Sequence, residues 1–264
     1  FLLNLSDPFK VDLFILVSVL LSFSLIPILL SITEAPNFNH SKRIRLKELY
    51  IISPLGFVGA LFIGLAHSAL FGYGAVYATA KELSTFEISV FMVIVSSFGA
   101  IFQWPIGFLS DRFDRRIILI FVTLVASGLS IFIVISSYLS IFVFFIILAL
   151  YGGMSLPMYS LAIAHINDFL QPNEIVSASA TFGILVGIGA MIGPILASIF
   201  MKFTGPDGFF AYLFIVHLCL GLFGIYRMGK RVKSRDIESQ YVPLPRNISA
   251  AGMELNPKVE TSDD

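Results

Sequence analysis

The sequence predicts an all-α fold, a polytopic bundle of membrane helices. Three observations carry that expectation. Of the 264 residues, 57% are hydrophobic and only 13% charged, with a mean hydropathy of +0.90. A soluble domain carries about a quarter charged residues, so this chain lacks the polar surface to cover itself in water. Second, the apolar residues fall into seven long runs, at 13–31, 54–78, 88–110, 117–136, 141–163, 178–201 and 209–226. A helical span needs roughly 20 such residues, and barrel strands are about half as long and alternate. Third, these runs do not alternate, and backbone in lipid must satisfy its own hydrogen bonds, so helices are the remaining solution.

Taken in order, the first run (13–31) is nearly uniform in apolarity. A polar and basic stretch, 33–49, follows it with Lys42, Arg43, Arg45 and Lys47. The second run differs in kind, holding Gly56, Gly59, Gly64, His67, Ser68, Gly72, Tyr73, Gly74 and Tyr77. The fifth run is similar, with Tyr151, Gly152, Gly153, Ser155, Pro157, Tyr159 and Ser160. Polar and helix-loosening residues are tolerated in a membrane only against protein or a wet cavity. Runs 117–136 and 209–226 are almost wholly apolar, as lipid-facing helices are. The sixth run carries Gly183, Gly187, Gly189, Gly193 and Pro194, two small-xxx-small pairs that let backbones touch. This packing is expected against another half of the protein.

Lys and Arg set the orientation. One side receives the 42–47 cluster, then Arg112, Arg115 and Arg116, then Arg227, Lys230, Arg231, Lys233 and Arg235; the other receives only Lys10, Lys81 and Lys202. The rich side is expected to be cytoplasmic, with the C-terminus inside. The tail 229–264, with Pro243, Pro245 and Pro257, reads as a disordered cytoplasmic segment.

Between the third and fourth runs lies a hairpin bearing both signs of charge, Asp111, Arg112, Asp114, Arg115 and Arg116. Gly107, Leu109, Asp111, Arg112, Arg115, Arg116 and Leu119 resemble the G-x-L-x-D-R-x-G-R-[RK]-x-x-L signature of the major facilitator superfamily, with Asp114 in place of its glycine. In that family the motif joins the second and third helices of each six-helix half. The resemblance implies that 1–32 is helix six of a longer protein, 33–49 its cytoplasmic central loop, and 50–228 its six-helix C-terminal half. It implies a missing N-terminal half as partner, with Asp111 facing a helix end there. Residues 53–56, 107–116, 164–168 and 242–246 look like the bacterial YcaD-like branch, which implies the bacterial inner membrane.

The resemblance further implies secondary transport of a small organic solute by alternating access. Efflux of hydrophobic compounds, or a non-transporting receptor on the same scaffold, are the alternatives. Gly107, Asp111, Arg112, Arg115, Arg116 and Asp168 form the expected cytoplasmic gate, with Asp168 accepting hydrogen bonds from Arg112 or Arg115. The alternative for Asp168 is a capping role. His67, Tyr73, Tyr77, Gln103, Tyr151, Ser155 and Tyr159 are the cavity candidates, each weighed against plain packing. Phe71, Gly74 and Ala78 share the face of His67 by helical spacing. His217 reads as structural in an outer, lipid-facing span. No Lys, Arg, Asp or Glu lies deep in a span, so proton coupling would need an acid in the missing half, or His67. Zero net charge argues against nucleic acid. No catalytic, phosphate-binding or metal-binding motif is present, so no enzyme activity, cofactor or metal is expected. Cys219, the one cysteine, reads as packing.

Overall fold

The computed structural model describes residues 11–30, 43–136, 138, 140–171 and 173–229. The expected disordered tail and much of the central loop lie outside them. Every regular element among the described residues is helical. In chain order they are α1 (Asp12–Ser24), α2 (Ile26–Leu29), α3 (Leu46–Ile52), α4 (Pro54–Ala80), α5 (Thr85–Arg112), α6 (Arg115–Ser136), α7 (Ile141–Ser155), α8 (Met158–Asn167), α9 (Ile175–Thr204) and α10 (Gly208–Met228). Among the described residues six helices are long and apolar enough to cross a membrane, with α7 and α8 counted together as Ile141–Asn167.

Local chemistry explains the boundaries. Ser53 caps α4, its hydroxyl accepting from Gly56 N–H at 3.2 Å, and Pro54 follows at the first helical position, where its missing N–H costs nothing. Ser84 opens α5 with a reciprocal box: Glu87 N–H donates to its hydroxyl, and its own N–H donates to the Glu87 carboxylate at 2.8 Å. Gly205, at φ +78°, ends α9 in the left-handed region where a side chain would strain.

Three expected boundaries shift. The run 141–163 is broken at Leu156-Pro157 into α7 and α8, because proline offers no N–H to the preceding turn. The first run is likewise two pieces, and α1, at 13 residues, extends only about 20 Å by itself. The basic stretch before α4 is not all loop, since α3 forms there.

The spans pack in pairs. Helix α4 lies along α9, α6 along α10 and α5 along α7. The closest pairing is α4 with α9. A Cβ at Gly189 would stand 2.2 Å from the Leu61 carbonyl oxygen, one at Gly193 2.3 Å from that of Leu65, and one at Gly64 2.2 Å from that of Val186. Main chain meets main chain there, so any side chain would force the helices apart. The expected contact of Gly189 and Gly193 with another half is therefore made with α4 of this same bundle. A Cβ at Gly183 or Gly187 would meet nothing within 4 Å among the described residues beyond its own helix backbone.

The core has two layers. One, around Leu49, Leu55, Leu119, Ile166 and Phe182, lies toward the end where α5 meets α6. The other, rich in aromatics, gathers Tyr77, Phe91, Tyr151, Phe209 and Phe210 toward the opposite end. Helices α5 and α9 are the least covered spans, 22% buried against 50% or more for the rest. The exposed faces of α6 and α10 are apolar, with Phe121, Phe132, Leu222 and Ile225 outward.

Candidate functional site

Two regions bring the expected residues together. The first is the charged end. Arg115 opens α6 and reaches across to the foot of α8. Its Nη1 donates to Asp168 at 2.6 Å and to the Ala164 carbonyl at 3.1 Å, and its Nη2 donates to Asp111 at 2.9 Å. One guanidinium thus ties the end of α5, the start of α6 and the end of α8, and a planar fork of donors suits that task. Arg112 takes a different place, over the Phe108 ring at 4.0 Å. Asp114, the residue at the signature's glycine position, clips its neighbour Arg116 with two oxygens, at 2.6 Å to Nη2 and 3.0 Å to Nε. It also accepts from the Arg116 N–H at 2.9 Å, capping the first turn of α6. These hydrogen bonds hold the Asp114 carboxyl below the usual carboxylate range. Asp168 moves the other way: partial burial raises it, against the pull of Arg115. A Cβ at Gly107 would meet nothing within 4 Å among the described residues outside its own helix turn.

The second region lies at mid-span and joins α4, α7 and α10 through Ser155. His67 Nε2 lies 3.0 Å from the Ser155 carbonyl oxygen, and Ser155 Oγ lies 3.1 Å from His217 Nε2. His217 Nδ1 sits 2.7 Å from the Leu213 carbonyl oxygen. A carbonyl only accepts, which assigns the protons in neutral rings. His67 carries its proton on Nε2 and His217 on Nδ1, so the Ser155 hydroxyl donates to His217. Ser155 is the last residue of α7, at the proline break, where side chains find carbonyls that a continuous helix would occupy.

The remaining cavity candidates divide. Tyr151 is fully buried, its ring edge-on to His217 at 5.7 Å. Tyr77 is also fully buried, stacked on Phe209 at 5.3 Å and edge-on to Phe210 at 4.9 Å. Both belong to the aromatic layer of the core. Gly74 and Ala78 are buried as well, with Gly74 against Phe91. Tyr73 is half-buried. Gln103 and Tyr159 stand open: Gln103 donates to Ser160 Oγ across to α8, and Tyr159 lies edge-on to Phe182 of α9 at 5.2 Å. His217 faces inward with no exposure, not toward lipid. Sequence reasoning missed it because a single polar residue in an apolar helix carries no mark of which face it occupies.

At the opposite end a smaller cluster closes the bundle. Lys81 pairs with Asp207 at 2.8 Å and lies over the Tyr138 ring at 4.5 Å, while the Tyr138 hydroxyl donates to Asp207. That carboxylate raises the Tyr138 phenol above its ordinary range.

A family model described as Major Facilitator Superfamily matches residues 56–250. Similar curated relatives are the uncharacterized MFS-type transporters YcaD of Shigella flexneri and of Escherichia coli (strain K12 / DH10B). Each is 26% identical over 151 residues, covering 56% of this chain and 37% of the relative. The aligned stretch is thus well under half of each relative's length. No solved structure matches the chain. Six apolar spans, a charged hairpin between the second and third of them, and a family match over most of the chain lead to one conclusion: this is an integral membrane protein that belongs to the major facilitator superfamily, a family of membrane transporters.

Proposed function

We propose that the chain forms one half of a secondary transporter that moves a small organic solute across a bacterial inner membrane by alternating access. The observation that carries this reading is the Arg115 contact. A charge-assisted fork at 2.6 and 2.9 Å, part-exposed at a helix end, suits a latch that holds one arrangement and releases it at modest cost. The open faces of α5 and α9 are where the missing half would dock, since these two spans are the least covered. The excess of Lys and Arg at the hairpin end supports a cytoplasmic position for that end.

The solute face in this reading comprises His67, Tyr73, Gln103 and Tyr159. These offer hydrogen bonds and aromatic surface without a fixed charge, which suits a neutral or amphipathic solute. With its Nε2 proton committed to Ser155, His67 keeps Nδ1 as an acceptor for a solute hydroxyl or a proton. The test is flux. The longer protein, reconstituted in vesicles, is expected to exchange labelled solute faster under an imposed proton gradient. Binding without exchange across the bilayer would overturn transport in favour of a receptor.

A further inference from the structure

Just before α4 the chain forms a short strap, 43–52, that closes onto the first turns of α9. The Ile44 N–H donates to Ser177 Oγ at 2.7 Å, and the Thr181 hydroxyl donates to the Ile44 carbonyl at 2.6 Å. Ile44 and Leu49 are buried beneath the strap. Ser53, at φ −142° and ψ 84°, breaks the helix between α3 and α4, so α3 does not continue along the axis of α4.

The other side of the strap is open. Leu46, Tyr50 and Ile51 are 41%, 45% and 68% exposed. Arg43, Arg45 and Lys47 are exposed beside them, and none of the three forms an ion pair among the described residues. The strap's acid, Glu48, accepts from the Arg45 N–H at 3.0 Å. Cations and apolar side chains therefore sit together, one residue before a membrane span begins.

We propose that this strap is a binding surface for anionic phospholipid headgroups in the leaflet on the hairpin side. Headgroup phosphates would pair with Arg43, Arg45 and Lys47, while Leu46, Tyr50 and Ile51 enter the acyl boundary. An acidic protein segment satisfies the charges but leaves no role for the apolar row at the bilayer edge. Because the backbone of Ile44 is shared with Ser177 and Thr181, headgroup binding also tightens the strap on α9. The proposal rests on the strap and on membrane embedding, not on transport.

The test places a reporter indole in the strap. Y50W is made in a W104F background of the full chain and placed in bilayers of phosphatidylcholine and phosphatidylglycerol in equal parts, with one or the other brominated. Brominated phosphatidylglycerol is expected to quench the indole roughly twofold or more over brominated phosphatidylcholine, and the excess to fall with salt. In R43Q/R45Q/K47Q the ratio is expected to approach one with helix content unchanged. A ratio near one in the parent, or an excess that survives the triple variant, overturns the proposal. So does an indole shielded from both lipids in the longer protein, which would assign the strap to a protein partner. S177A/T181V is expected to keep the quenching excess while amide exchange at 44–46 no longer slows with phosphatidylglycerol; exchange that still slows overturns the link to α9.

Discussion

Arg115 and Asp168, 53 residues apart in sequence, meet at 2.6 Å, and the same guanidinium reaches back to Asp111 at 2.9 Å. The contact spans two helix ends that the chain brings together only after a full membrane crossing and return. It gives the charged hairpin a partner outside itself.

Breaking that contact should shift conformation more than fold. Asp168→Asn is expected to reduce the population closed on the hairpin side by about two- to fivefold, the scale of a part-exposed ion pair worth up to about 1 kcal/mol. Distance measurements between spin labels on the two ends of the proposed two-half transporter would read it. Unchanged populations and unchanged flux would remove the latch.

Acid should dissolve the two carboxylate contacts in a fixed order. The Arg115–Asp168 attraction exists while Asp168 is ionised and is lost as pH falls through its midpoint, which burial has raised. The Asp114–Arg116 clip persists to lower pH, because its carboxyl is held below the ordinary range. Carboxyl carbon shifts followed by NMR should show Asp168 titrating first. Arg115→Gln should move the Asp168 midpoint further up, since it removes the charge that favours ionisation.

The glycine pairs of α9 should behave oppositely. Gly189→Leu places a side chain against the main chain of α4 and is expected to cost more than about 2 kcal/mol, read as a loss of thermal stability in detergent. Gly183→Leu meets open space and should stay within about 0.5 kcal/mol in this chain. A cost at Gly183 that appears only when the proposed second half is present would locate the face on which that half docks.

Ser155→Ala should loosen the middle of the bundle. It leaves Nε2 of the fully buried His217 without its donor, at a cost of about 1 kcal/mol. Thermal unfolding of Ser155→Ala and Ser155→Ala/His217→Leu would separate the orphaned acceptor from simple loss of packing, since the double variant should recover part of the stability.

The spans and the charged hairpin were legible because length, apolarity and opposed charge are local properties. That Asp168 and the hairpin arginines share one end of the bundle was legible too, but not which arginine it meets: Arg115 makes the contact, while Arg112 lies over Phe108. The side-chain faces were not. Tyr77 and Tyr151 have the same composition cues as Tyr159, yet the first two enter the aromatic core and the third stays open, a difference set by tertiary packing. The glycines of α9 share one spacing but split between a backbone contact and open space, because only Gly189 and Gly193 lie on the face that meets α4. α3 escaped notice because seven residues are too few to carry a periodic signal.

The interlocked main chains of α4 and α9 also restrict how this bundle deforms. With peptide groups nested between Gly64 and Gly193, there is no room for a side chain between the two spans, and sliding one past the other is resisted by main chain against main chain. The other soft point is Pro157, where the missing N–H opens the hydrogen-bond ladder between α7 and α8 and makes bending cheapest on the way to the Asp168–Arg115 contact.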